Sequence, residues 1–409
     1  MNTEDIEFYT LPNGIRVVHI YNDSPVAYCG VGVGIGTRNE LEEESGMAHF
    51  IEHTIFKGTT HRNAWHILNR LEDVGGDINA YTEKEETFVY ATVLAEDYER
   101  AMELCTDIVF NPTFPQNEID KEKEVIIDEI NAYNDSPSEL IYDDFESLLF
   151  CNKGLGRSVL GKEDILSEYT TADAMAFHKR NYGTDKFIYF SMGKMPKKTL
   201  HKLDEKYLSG VQGKTSNVEP GLIAEYKPQD LVIKKDLHQV NFMAGNRAYG
   251  IHDKKKFPFL LLNNILGGPG LNSRLNLAIR ERNGMSYSVE SSYTPYTDNG
   301  LVCIYFSADA KYKDKCIELV KKELDKLKNE KLTSLQLDRA KKQLLGQQAI
   351  ASENKEGLAL NIAKGFLYFG EYTSIDERRK LIEDITAEQI QDVANEIFEE
   401  GKMSSILYV

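Results

Sequence analysis

The 409 residues contain no apolar run approaching the ~20 that a bilayer span requires, which argues against a membrane-spanning helix. There is no basic excess either. The net charge is −17, whereas a nucleic-acid binder needs a basic face. Cysteine is sparse. The five, Cys29, Cys105, Cys151, Cys303 and Cys316, are odd in number and scattered. They form neither a disulfide framework nor a cysteine zinc cluster and read as buried thiols in a reducing compartment. The opening Met1-Asn2-Thr3-Glu4-Asp5-Ile6-Glu7 is acidic and lacks an apolar core, so neither a signal nor a transit peptide is predicted. A cytoplasmic location is the matching expectation. Gly267-Gly268-Pro269-Gly270 lacks the Gly-Lys-Ser/Thr ending of a phosphate loop.

What is present points to metal chemistry. In Gly46-Met47-Ala48-His49-Phe50-Ile51-Glu52-His53 two histidines stand four apart, with a glutamate just before the second. On a helix His49, Glu52 and His53 share one face, beside an apolar stripe of Ala48, Ile51 and Ile55. Two imidazoles one turn apart can hold a single Zn²⁺. A carboxylate on that face can reach a metal-bound water without binding the metal, which is the H-E-x-x-H zinc-protease pattern written in reverse. The bland alternative is a pair of ordinary half-buried histidines, because a catalytic zinc needs a third protein ligand.

Glu129 is the best candidate for that ligand. The run Ile119–Ile130 lacks Gly and Pro, and Ile119, Ile126, Ile130 and Tyr133 mark an apolar face, so a helix is predicted. Glu122 and Glu129, two turns apart, fall at the edge of the buried stripe, where a carboxylate is costly without a partner. A metal would partner Glu129, and Glu122 could accept from a ligand or from the catalytic water. The alternative is a solvated face, since Lys121, Lys123 and Glu124 are surface charges.

These segments resemble the pitrilysin/insulin-degrading-enzyme family of zinc metallopeptidases, in the two-domain branch that includes the mitochondrial processing peptidase β subunit and its bacterial relatives. The likeness covers nearly the whole chain. It is densest over residues 30–60, from Gly-Val-Gly-Val-Gly-Ile-Gly-Thr-Arg-Asn-Glu through the metal motif to Ile-Phe-Lys-Gly-Thr-Thr. The family places its third ligand 76 positions beyond the second histidine, with a glutamate seven residues earlier; Glu129 and Glu122 stand at those positions. The resemblance therefore implies Zn²⁺ on His49, His53 and Glu129, Glu52 as general base, and Glu122 in support. It implies that Asn79, Ala80, Tyr81 and Thr82 form an edge strand that pairs with substrate backbone. Arg280 and Tyr287 match an Arg/Tyr pair that completes the family's active site from its last domain. In two-domain relatives the partner domain belongs to another subunit, so a homodimer is expected, or a heterodimer with a paralogue.

Residues 205–228 are loop-rich and aperiodic and mark a boundary. The expected arrangement is a zinc-binding catalytic domain over 1–206, a linker over 207–228, and a metal-free homologous domain over 229–409 that carries the Arg/Tyr pair. A weak internal repeat supports it. Ile119-Asp120-Lys121 and Leu337-Asp338-Arg339 both open charged amphipathic helices at an offset of 218, which sets Glu129 on Gln347 and Glu122 on Ala340. Strands over 7–10, 15–21, 26–34, 87–94, 187–192 and 301–307 alternate with helical patterns, giving an α+β class. The resemblance implies two similar domains, each an antiparallel-rich sheet covered by helices on one side. Glu42, Glu43 and Glu44 before the metal helix, with Glu83, Glu85 and Glu86 after the edge strand, suggest either an acidic vestibule that steers basic peptides or acidity kept for solubility. His61 and His66 come too late to share the metal face. The expected activity is zinc-dependent hydrolysis of peptides or unfolded segments within a closed chamber; the alternative is a non-catalytic peptide-binding or assembly subunit of the same fold.

Overall fold

A computed structural model describes residues 6–216 and 225–409. Residues 217–224 of the expected linker lie outside the described residues. The chain divides into two compact units, and neither is a contiguous half.

The first unit comprises residues 1–132, 157–222 and 351–374. Its sheet holds β1 (Ile6–Thr10), β2 (Arg16–Tyr21), β3 (Val26–Val33), β4 (Asp77–Thr82), β5 (Thr87–Leu94) and β6 (Phe187–Gly193) in the order β1-β2-β6-β3-β5-β4. The predicted strands over 7–10 and 15–21 pair as an antiparallel hairpin across Pro12-Asn13-Gly14, forming β1 and β2. Gly14 supplies the positive φ of 96° that the turn needs. Every residue of β6 is buried, as expected of a strand covered on both faces. On one face Val17, Val31, Val89, Ala91 and Tyr189 pack with the helices 47–54, 98–110 and 116–134. On the other, Val18, Ile20, Phe88, Ile188 and Phe190 meet Ala359, Ile362, Ala363 and Phe366 of the helix Lys355–Phe369.

The second unit comprises residues 133–156, 223–350 and 375–409. Its strands are β7 (Asp230–Ile233), β8 (Val240–Ala248), β9 (Ser288–Pro295), β10 (Gly300–Ala308) and β11 (Ser404–Tyr408), in the order β7-β11-β8-β10-β9. One face packs on helices 256–267, 313–329 and 387–397. The other receives Ile141, Phe145 and Leu149 of the helix Pro137–Leu149.

The α+β class and the two similar domains are as expected. The layering is richer than helices on one side, because a single helix covers each opposite face. That helix comes from the other half of the chain: residues 133–156 belong with the second sheet and 351–374 with the first. The domain limits 1–206 and 229–409 therefore give way to an exchange. Its physical reason is that amphipathic periodicity shows which face of a helix is buried but not against which sheet.

Candidate metal centre

The helix Met47–Thr54 begins at Gly46, whose φ of 89° is left-handed. A Cβ there would stand 2.7 Å from the Leu160 carbonyl oxygen and 2.8 Å from Gly161 Cα, so only glycine fits. Met47, Ala48, Phe50 and Ile51 bury the apolar side of the helix. The opposite side carries His49, Glu52 and His53.

His49, His53 and Glu129 converge, with one ligand atom of each within 4.8 Å of the others; among the described residues no other His, Cys, Asp and Glu group does so. Glu129 Oε2 lies 3.9 Å from His49 Nε2 and 3.6 Å from His53 Nε2. The two rings are 4.7 Å apart. Exposure is graded: His49 is buried, His53 intermediate and Glu129 exposed. Such a set suits a catalytic metal, which leaves one side open. The donor chemistry fits zinc: two imidazoles and one carboxylate, with both Nε2 atoms facing the same Glu129 oxygen. Burial, followed by the neighbouring His53, lowers the His49 pKa to about 4, so its ring is neutral and able to ligate at pH 7.

The far side of His53 is held. Its Nδ1 lies 3.2 Å from Glu122 Oε2, while Lys57 Nζ donates to Glu122 Oε1 at 2.6 Å. The carboxylate fixes the ring so that Nε2 faces the centre, an outer contact typical of metal-binding histidines. Glu122 is buried, as its place at the edge of the Gln116–Asn134 stripe predicts, whereas Glu129, two turns further on, is exposed. Lys57 was missed by sequence reasoning. Its position one turn beyond the motif, in an otherwise apolar Ile55-Phe56-Lys57, was the available signal.

Glu52 is half-buried. Burial raises its pKa, opposed by a hydrogen bond from Thr82 and by His53. Thr82 ends β4, the open edge of the sheet, and β4 lies beside the 47–54 helix. Ala95 N–H donates to Pro25 O and Glu83 N–H to Glu86 O. With the register Tyr81↔Phe88 and Asn79↔Tyr90, the alternation of an antiparallel ladder turns Asn79 and Tyr81 main chains inward. The main-chain groups of Ile78, Ala80 and Thr82 point out of the edge. Of the predicted strand, Ala80 and Thr82 therefore present backbone outward, and Ile78 joins them. The Ala80 N–H donates to Asn79 Oδ1 at 2.9 Å, so its own neighbour covers it.

Arg280 and Tyr287 belong to the second unit and share one pocket there, with Tyr142, Asn276, Glu290 and Tyr305 among its walls. Arg280 sits in a π-helical turn, Asn276–Glu281; wide turns of this kind are frequent at functional sites. Its Nε lies 3.7 Å from Glu281 Oε1. Tyr287 is 86% exposed, so its hydroxyl is open to a ligand.

Two expectations need correction. Cys151 is exposed, while the other four thiols are free and buried. It sits in a loop at φ 56°, where its Sγ donates to Glu225 O at 3.3 Å. The acidic vestibule also shrinks. Glu44 holds Arg180 in a double contact at 2.5 Å, Glu85 pairs with Arg38, and buried Glu86 accepts from Lys364 and Tyr368. These partners lie far away in sequence and could not be read from it. His61 hydrogen-bonds Asp107 at 2.6 Å, away from the metal group.

Residues 16–163 match the family described as Insulinase (Peptidase family M16), and residues 168–344 match Peptidase M16 inactive domain. A curated relative named Uncharacterized zinc protease YmxG, from Bacillus subtilis (strain 168), is 31% identical over 399 residues, covering 97% of this chain and 96% of its own. An Uncharacterized zinc protease of Rickettsia felis is 32% identical over 407 residues, covering 99% and 98%. A solved protease from Helicobacter pylori superposes with a TM-score of 0.90 at 21% identity, covering 99% of both chains. The peptidase M16 inactive domain from Pseudomonas fluorescens superposes with a TM-score of 0.91 at 20% identity, covering 100% of this chain and 98% of that one. The structural likenesses establish the fold, and the sequence identity across nearly the full length establishes the kinship: this chain belongs to peptidase family M16.

Proposed function

We propose that the protein is a zinc-dependent endopeptidase acting on peptides or unfolded segments. The carrying observation is the convergence of His49, His53 and Glu129 within 4.8 Å, with Glu52 on the same helix and β4 beside it. Names of the relatives agree with zinc and with proteolysis. His49, His53 and Glu129 would hold the ion, which when bound polarises the scissile carbonyl and acidifies water. Glu52 takes the proton of the attacking water and delivers it to the leaving amine; its raised pKa suits both roles. Glu122 and Lys57 keep His53 oriented. Ile78, Ala80 and Thr82 offer main-chain groups to an extended peptide, which displaces the Asn79 side chain from the Ala80 N–H. Such pairing gives affinity that tolerates sequence variation.

Arg280 and Tyr287 are donors for the developing oxyanion, supplied by the second copy of a homodimer that closes a chamber. Their support is the family pattern and the exposure of Tyr287. Two inactive proteins test this: Glu52→Gln, and Arg280→Ala combined with Tyr287→Phe. If each site is completed in trans, mixing them restores cleavage of a peptide library; silence after verified subunit exchange contradicts it. The overall reading is tested on the same library with chelator-stripped and zinc-restored protein. Hydrolysis that returns with zinc supports an enzyme. A zinc-loaded protein that binds peptides without cutting them points to the non-catalytic alternative.

A further inference from the structure

The metal helix starts without a cap of its own. Gly46 has no side chain, and the contacts with Leu160 and Gly161 leave no space for one. The first N–H groups of a helix still need acceptors. They find them on a residue six positions upstream: Glu40 Oε2 accepts from Gly46 N–H and Oε1 from Ala48 N–H, both at 2.9 Å. Glu40 is only 5% exposed, and burying a carboxylate is costly unless it is well bonded.

The backbone around Glu40 is itself pinned. Arg157 donates to the Glu40 carbonyl at 2.5 Å and to the Leu41 carbonyl at 3.0 Å. Just before it, Thr37 N–H donates to Glu83 O at 3.3 Å and Arg38 N–H to Lys84 O at 2.8 Å. Lys84 Nζ closes the ring on Arg157 O at 2.5 Å. A continuous set of bonds thus runs from the turn after β4, through residues 37–40, to the first turn of the helix, where His49 follows Ala48.

We propose that Glu40 is a positioning residue of the metal centre: its carboxylate fixes the first turn of the 47–54 helix, and with it the place of His49, relative to Glu129 and to β4. This rests on the zinc reading above. Glutamine at 40 keeps the shape but brings one oxygen and one NH₂ to two N–H donors, so one of the two bonds is lost. Because ligand placement tolerates only about 0.5 Å, the effect should reach the ion rather than stop at stability.

The experiment compares wild type, Glu40→Gln and, as a stability control, Leu104→Ala in the core of the 98–110 helix. For each, zinc affinity is measured by chelator competition, the visible spectrum is recorded after cobalt substitution, and melting is followed without metal. Glu40→Gln should bind zinc about tenfold or more weakly, the range found for outer contacts of metal ligands, with an altered cobalt spectrum. Leu104→Ala should melt earlier while keeping wild-type affinity and spectrum. Should Glu40→Gln fail to fold, Glu40→Asp, one methylene shorter, stands in with the same expectation. Wild-type zinc affinity and cobalt spectrum in the Glu40 variant, or changes no larger than those in Leu104→Ala, overturn the proposal. A wild-type protein that takes up no zinc overturns the metal reading itself, and the role of Glu40 with it.

Discussion

In the first unit β2, β6, β3, β5 and β4 lie side by side; in the second, β7, β11, β8, β10 and β9 do so in the same order. The senses also correspond. β2 runs parallel to β6 as β7 does to β11, and the remaining neighbours are antiparallel in both. Between its third and fourth strands in chain order, the first unit places a short helix with two histidines. At the corresponding place the second has the largely apolar helix Lys256–Gly267 and the π-helical turn bearing Arg280. Where the 116–134 helix carries Glu122 and Glu129, the 334–351 helix carries Ala340 and Gln347. One scaffold thus stands with and, among the described residues, without a converging His/Glu group. The centre is a handful of polar side chains added to a fold that does not depend on them, which is why their removal should affect chemistry before it affects folding.

The largest expected effect is on turnover. Glu52→Gln leaves the three proposed ligands intact but replaces the proposed base with a neutral amide, so cleavage should fall by about 10²–10⁴ or more with zinc content unchanged. Near-normal rates in peptide assays would remove Glu52 from the mechanism. Tyr287→Phe should cost up to about 10²–10³ in kcat, the scale of one oxyanion donor, again without loss of zinc. A fall in zinc content on this change would mean that the second unit shapes the metal group after all.

The exchanged helices give the next contrast. Phe145 and Ile362 are both fully buried. Phe145→Ala should destabilise by about 3–5 kcal/mol and Ile362→Ala by about 2–5 kcal/mol, each in the unit whose sheet it covers. Hydrogen exchange should speed up in β8 and β10 for the first and in β2 and β6 for the second. The opposite pattern would break the assignment of these helices.

Acid should separate the units more gently. His19, His49 and His178, all in the first unit, are held down to about 4, chiefly by burial. Between pH 6.5 and about 4 the unfolded chain therefore takes up protons that the folded chain refuses. Their contribution is intact above 6.5 and drains away as the pH falls toward 4, by at most about 3 kcal/mol per group. Burial pushes the Glu40 and Asp204 carboxyls of the same unit up, which works the other way, so the check compares the shift in urea midpoint from pH 7 to pH 5 between metal-free wild type and His19→Gln, which should lose less on acidification. Equal shifts in the two proteins would contradict it.

Much of this was legible in the chain. The pattern His49-x-x-Glu52-His53 and the two-turn spacing of Glu122 and Glu129 are local helical facts, and family likeness joined them across 76 residues. The repeat offset of 218 also survives: the helix starting at Gln116 is matched by one at Ser334, and that at Pro137 by one at Lys355. What stayed hidden depends on pairing at a distance. Nothing local says that Phe145 shares a core with Met243 of β8, or that Glu44 is taken up by Arg180. Glu40 carries no local sign of its role, because a remote cap leaves no periodic trace. The outward set Ile78, Ala80 and Thr82 needed the ladder register, which a strand pattern alone does not fix.

The proposed zinc site of the first unit, on His49, His53 and Glu129, meets its sharpest check in elemental analysis of metal-replete, gel-filtered protein, comparing wild type with His53→Ala and Glu129→Gln. Wild type should carry one zinc per chain, His53→Ala should retain none, and Glu129→Gln should retain it weakly. Wild type without stoichiometric zinc, or His53→Ala with a full complement, would contradict it.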